Sequence, residues 1–299
     1  MTGTAARLPN GRLHVQEGPI DLVIGADGPP DAVQRAYASA IHAFDGLLAG
    51  LAAELPALRR PAGNQPAVVH GPVARRMVEA VHPHRRVFVT PMAAVAGAVA
   101  DHVLAGMVAA APDLAKAWVN DGGDIAFHLT PGTTFELGLV PDLDDPALAG
   151  TATIRFDDPV RGVATSGRGG RSFSLGIADA ATVLAATAAQ ADVAATLIAN
   201  AVDLPNHPAI RRGPASAEDP DSDLGDRLVV LNVGPLTDVE IACALEAGAR
   251  EAERMRAAGL IHACALALRA GWGVVGIDPA RLSIATETLP NIHASVTDP

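Results

Sequence analysis

Two spacings of apolar residues run along the chain. Asp21–Ile24, ending in a short apolar run, reads as a strand. Helical spacing holds from Asp31 to Leu55 and stops at the Pro56–Pro66 break. Val73–Val81 reads as a short helix and Arg86–Thr90 as a buried strand. Pro91 suits the first turn of a helix over Met92–Ala111, where a missing amide donor is no loss. Trp118–Val119 and Ile125–Leu129 read as strands joined by a tight Asn-Asp-Gly-Gly-Asp turn. Strands continue at Thr134–Val140 and Thr151–Phe156. Gly162–Thr165 and Ser172–Ile177 bracket a glycine-rich turn, and Thr182–Ala185 is a further short strand.

Ala189–Val202 is helical, and Leu204–Asp226 is a Pro-, Asp- and Ser-rich stretch that belongs on the surface. A strand at Leu228–Val233, a helix over Asp238–Ala258, and apolar runs at Ile261–Leu268 and Gly273–Ile277 complete the chain. Helices gather at the two ends and strands fill the middle, which favours α+β over a regular βαβ winding. No composition shift marks a boundary, so residues 1–299 are expected to form one domain, with 204–226 as a surface excursion.

Charge narrows the partners. Lys and Arg number 22 against 33 Asp and Glu, a net of −11, and Lys116 is the sole lysine. A duplex nucleic-acid binder needs a clustered basic surface, so nucleic acid is not an expected partner. Met92–Ala111 is apolar, but Asp101 and His102 at its centre favour a buried helix over a membrane span. The start of the chain lacks a basic-then-apolar leader, so the cytoplasm is the default compartment. Cys243 and Cys264 lie in apolar, helix-like stretches and read as buried reduced thiols. A homodimer is the base-rate expectation for a compact soluble chain.

Three segments have residue types suited to chemistry. In Asn120-Asp121-Gly122-Gly123-Asp124 the glycines let backbone approach a ligand while the flanking polar groups orient it; a plain hairpin uses the same residues. Ala164–Ser172 packs glycines, hydroxyls, Arg168 and Arg171 into nine residues, enough to cradle a small anion or to form a solvated turn. Asp192 and Thr196, four apart on one helix face, offer a carboxylate and a hydroxyl to a hard cation; Asp192 equally suits a positive helix end. His82 and His84 flank Pro83 and could bind a metal, although a loop with two partly exposed imidazoles is the commoner arrangement; His70, His102, His128 and His262 show no recognisable catalytic spacing, and no nucleophile elbow is present.

The order and spacing of these segments resemble the ApbE superfamily of magnesium-dependent FAD:protein FMN transferases. Asn120, Gly122, Gly123 and Asp124 match its N-x-G-G-D turn. Ser166-Gly167 is similar to its S-G segment, and Ala191-Asp192-Val193-Ala194-Ala195-Thr196 to its A-D-x-x-A-T helix start. The resemblance implies an α+β, T-fold-related architecture of mixed sheets with packed helices in two tightly joined lobes. It also implies that Asn120, Gly122, Gly123, Asp124, Thr165 and Gly167 line a flavin site for FAD or FMN, that Asp192 and Thr196 hold Mg2+, and that Ser166 lines the phosphate path. An acceptor protein bearing Ser or Thr would be the partner.

The family's H-x-x-D-P-R-T-G segment is absent. In its place stands Arg171-Ser172-Phe173-Ser174-Leu175-Gly176-Ile177-Ala178-Asp179, closer to an uncharacterised ApbE-like branch. Three readings therefore stand open: FMN transfer from FAD, with Arg171 replacing part of the lost positive charge; a flavin-binding or accessory protein of a redox pathway; and an enzyme on a small anionic substrate, with Arg168 and Arg171 as clamp and Asp179 as base.

Overall fold

A computed structural model describes residues 3–139, 150–170, 172–276 and 282–284. The elements in order are β1 (Thr4–Arg7), β2 (Leu13–Glu17), β3 (Ile20–Asp27), α1 (Pro30–Phe44), α2 (Leu47–Leu58), α3 (Pro72–Val81), α4 (Val95–Ala110), β4 (Lys116–Asp121), β5 (Asp124–Leu129), β6 (Thr134–Leu139) and β7 (Gly150–Arg155). They continue with β8 (Gly162–Ser166), β9 (Ala180–Ala185), α5 (Ala188–Ala201), β10 (Ile210–Pro214), α6 (Ala215–Glu218), β11 (Leu228–Val233), α7 (Asp238–Ala257), β12 (Ala263–Leu268), β13 (Gly271–Val275) and β14 (Leu282–Ile284). Val140, Arg171 and Ile277 lie outside the described residues.

The frame is a nine-stranded sheet in the order β1-β2-β3-β4-β5-β8-β9-β12-β13, and its described strand pairs are all antiparallel. Period-two alternation gives each inner strand two different faces. Ala117, Val119, Ala126, Ala164 and Val183 point into the larger core with α1, α4 and α5, while Phe127, Leu129 and Val163 point the other way. On that second face a small β14-β7-β6 sheet supplies Phe135, Leu137 and Ile154, and Phe127 stacks on Phe135 with ring centroids 4.7 Å apart. The α+β expectation with packed helices is met, and the sheets are antiparallel in every described pair rather than mixed.

Alanine makes the helical layer thin. Ala98, Ala100, Ala188, Ala191, Ala194 and Ala195 are buried, so α4 and α5 approach closely and a glycine is needed where they touch. A Cβ on Gly97 would lie 2.3 Å from the Ala188 carbonyl oxygen, and one on Gly162 would lie 2.1 Å from Ala188 N. Such distances allow no side chain without backbone movement.

Several expectations need correction. The helix expected over Asp31–Leu55 is two helices, because Gly46 adopts φ +75° between them, and α2 runs past Pro56 to Leu58. Arg86–Thr90 is not a strand; it follows a 3₁₀ turn at His82–His84, and only Val89 and Thr90 of the five are buried. Pro91 opens a 3₁₀ turn, Pro91–Ala94, before α4 begins. Ser172–Ile177 is not a strand either: the chain loops from β8 to β9, and Ser174 Oγ and the Leu175 amide are anchored on Asn200. The 204–226 excursion holds β10 and α6, and 11 of its 23 residues are exposed while Ile210 and Ala215 are buried. Cys264 is buried, on β12 rather than a helix, and Cys243 is exposed on α7.

Among the described residues one helical stretch, Pro91–Ala110, is long and apolar enough to cross a membrane. Here it packs between α1 and α5, with Gly97, Val99, Val103 and Met107 buried.

Candidate functional site

The β4–β5 hairpin turns on two residues. Asp121 pairs with Asp124, and Gly122 and Gly123 between them have φ +64° and +112°. Side chains rarely adopt those values, which accounts for the diglycine. Asn120 Oδ1 accepts from the Gly123 amide at 2.8 Å and locks the turn. Alternation from buried Val119 and Ala126 puts Asp121 and Asp124 on the helix-covered face of the sheet. Asp121 is only 3% exposed.

β8 runs antiparallel to β5, with Ile125 opposite Val163. Following that register leads the hairpin tip toward the end of β8 that carries Thr165 and Ser166. Thr165 Oγ1 meets Thr182 Oγ1 at 2.9 Å across β8 and β9. Gly167, at φ +154°, lies so close to the chain that a Cβ there would be 2.3 Å from the Asp179 carbonyl oxygen. Arg168 Nη2 donates to Asp179 Oδ1 at 2.8 Å, while Arg168 Nε is buried and has no acceptor among the described residues.

Asp192 sits in the second turn of α5, with Thr196 one turn on and half-buried. Its Oδ2 accepts from the Gly97 amide at 3.0 Å, which closes the N-terminus of α4. Conversely, Asp101 of α4 accepts from the amides of Ala188 and Ala189 at 3.1 and 2.9 Å, the N-terminus of α5. Asp192 keeps some solvent accessibility as a residue, yet protein crowds its carboxyl group. Burial pushes that carboxyl well above the ordinary carboxylate range. The Gly97 and Ala96 amides pull it back, and the like charges of Asp121 and Asp101 push it further up. Burial also raises Asp101, against the pull of its two amide donors.

The hairpin and the α5 segment are thus brought together through Asp121 and Asp192, and the register of β8 directs Thr165 and Ser166 to the same end of the sheet. Asp179 is held in a different role from that of a free base: Oδ1 takes Arg168 and Oδ2 accepts from the Arg269 amide at 2.5 Å. Arg171 lies outside the described residues. Sequence reasoning missed Asp101 and the part played by Asp121. Counting in twos from Val119 is the signal that finds Asp121; no local signal finds Asp101, whose partners are 87 and 88 residues away.

Among the described residues no group of three or more His, Cys, Asp and Glu side chains is set to hold a metal ion. The donor chemistry still suits a hard cation in part: two crowded carboxylates on facing elements, which a positive charge would relieve, beside a hydroxyl.

Comparison with known proteins places the chain. A family model described as AbpE bacteria matches residues 5–277. A UPF0280 protein of Methanopyrus kandleri is 35% identical over 161 residues, covering 53% of this chain and 61% of that protein. One of Methanothrix thermoacetophila is 36% identical over 154 residues, covering 48% and 55%. The matched region therefore spans little more than half the length of these relatives. Among solved structures, an ApbE protein of Thermotoga maritima aligns over 91% of this chain and 96% of its own at 11% identity and TM-score 0.48. The apo form of the Pseudomonas stutzeri flavinyl transferase ApbE aligns over 91% and 93% at 13% identity and TM-score 0.43. With the family model covering nearly its whole length, the chain belongs to the AbpE bacteria family.

Proposed function

We propose that the chain binds a flavin nucleotide between the diglycine hairpin and α5, and that with Mg2+ it transfers FMN from FAD to a protein Ser or Thr. The observation that carries this reading is that Asp192, held by the Gly97 amide, lies within reach of the like charge of buried Asp121 at the end of β4. Family membership supports it.

The helix ends support a cation at this place. Helix N-termini ordinarily welcome phosphate, but in α4 and α5 those amides are already taken by Asp192 and Asp101. A pyrophosphate approaching this face meets negative charge, so it needs a bridging cation. Asp192, Asp121 and the Thr196 hydroxyl are the groups that would hold Mg2+, which when bound draws charge from the phosphates and eases displacement. Asn120, Gly122, Gly123 and Asp124 shape the nucleotide's seat, with Thr165 and Gly167 on the opposite wall. Ser166 lines the phosphate path. Arg168, fixed by Asp179, offers its Nε to a phosphate oxygen.

In the reaction the acceptor hydroxyl forms a new P–O bond to the FMN phosphorus as the pyrophosphate P–O bond breaks. AMP leaves, and the hydroxyl proton passes to solvent.

A second reading, a flavin-binding accessory protein without turnover, is favoured by one observation: the Ser172–Asp179 loop that replaces the H-x-x-D-P-R-T-G segment is tied to α5 and β12 rather than to the hairpin. Incubation with FAD, Mg2+ and a Thr-bearing acceptor peptide separates the two. AMP release that Asp192→Ala abolishes supports transfer. Bound yellow flavin without AMP supports the accessory role, and neither outcome leaves only the anionic-substrate enzyme. A homodimer in the cytoplasm completes the proposal and is tested by sedimentation and fractionation.

A further inference from the structure

At the other end of β4 lies a separate cavity of about 380 Å³, lined by Asn10, Arg12, Asp27, Tyr37, Lys116 and Trp118 among others. Lys116 opens β4 and Asp121 closes it, so at strand rise the cavity is about 16 Å from the Asp121–Asp192 pair. Its size suits a small metabolite.

The charge at this cavity runs against that of the chain. In a protein of net charge −11, Arg12 and the sole lysine line the cavity with one carboxylate, Asp27, which stands 3.3 Å from Lys116 Nζ, and Arg7 lies over the ring of Tyr37, another lining residue. Both guanidinium groups lie over aromatic rings, Arg7 over Tyr37 at 4.0 Å and Arg12 over Trp118 at 4.9 Å. The Trp118 ring is itself seated on Gly25, where a Cβ would come within 2.4 Å of the indole. A guanidinium held over a ring by a cation–π contact spends no N–H on it, so those donors remain for a carboxylate or phosphate, which can take two parallel hydrogen bonds. Arg7 spends one donor on the Gly11 carbonyl at 3.1 Å, whereas the Arg12 guanidinium has no acceptor among the described residues.

From this arrangement the geometry points to a second ligand site: the cavity binds a small anion with a phosphate or carboxylate head, gripped by the Arg12 fork and Lys116, with a body no larger than a nucleoside. Asn10 and the Gly11 backbone supply polar contacts to that body. The site is independent of the flavin reading and stands if that reading fails.

Trp118 reports on it. With Trp272→Phe removing the other tryptophan, the remaining fluorescence belongs to Trp118. Titration with ribose 5-phosphate should change that signal saturably at low salt. Inorganic phosphate should compete, and ribose should do nothing. Arg12→Ala and Lys116→Ala, both at the cavity mouth, should each weaken binding about tenfold or more, with circular dichroism unchanged. Asp192→Asn should leave the titration as it was. An absent saturable change up to about 10 mM, about tenfold above a millimolar Kd, overturns the proposal. So does binding that is equal for ribose or that survives loss of Arg12.

Discussion

Asp101 and Asp192 each close the N-terminus of the helix that carries the other. Asp101 of α4 accepts from Ala188 and Ala189 at the start of α5, and Asp192 of α5 accepts from Gly97 at the start of α4. The two helices are thereby fixed in angle and register by polar contacts as well as by the alanine packing between them. The same arrangement holds Asp192 beside Asp121, under the diglycine turn.

That enclosure makes stability depend on pH in an unusual direction. The folded-state pKa of Asp192 is raised, so from about 3.8 up toward neutrality the folded protein holds more protons than the unfolded chain. Its contribution therefore favours folding at the acid end of this window and is lost as pH rises. Asp192→Asn keeps an acceptor for Gly97 without the charge. Relative to the parent, it should gain more than about 1 kcal/mol in urea denaturation at pH 8 than at pH 5.

Asp101→Ala leaves two amides of α5 without their cap. A loss of about 1–2 kcal/mol is expected, measurable by the same denaturation. Asp101→Asn should recover part of it.

The glycines at the α4–α5 and β8–α5 contacts have no room for a methyl group. Gly162→Ala should destabilise by about 1–3 kcal/mol or shift α5, read as a lower melting temperature. Gly123→Ala meets no neighbour within 4 Å, so its penalty is backbone strain at φ +112° alone and should be smaller, about 1 kcal/mol.

His84 is 6% exposed, and its Nδ1 has no partner among the described residues. Burial, with the charge of Arg254 nearby, lowers its pKa from 6.5 to about 4. The unfolded chain then binds more protons between those values, so stability present above pH 6.5 is lost as pH falls toward 4. His84→Leu should flatten that segment of the stability profile.

The two thiols should differ in reactivity. Burial pushes the Cys264 thiol far up, whereas Cys243 is exposed. A thiol reagent should titrate one cysteine in the folded protein and both in guanidinium.

The sequence made the hairpin legible because Asn120, Gly122 and Gly123 fix a turn by local chemistry, and it made β4, β5, β8 and β9 legible through alternation. Ser172–Ile177 misled for the opposite reason: its apolar and polar residues alternate, but Asn200, Ala199 and Val202, distant in sequence, determine where it runs. Asp101 was visible only as an obstacle to a membrane span, since a cap supplied from another helix has no sequence spacing to read. Asp192 was legible as a polar residue at a helix start; its like-charged neighbour needed the register of β4.

The most direct test of the site is FAD affinity with Mg2+ and with chelator, followed by flavin fluorescence, in the parent protein and in Asp192→Ala. The account predicts binding that Mg2+ strengthens about tenfold or more and that Asp192→Ala returns to the chelated level. Equal affinity in all four conditions, or no flavin binding at all, would contradict it.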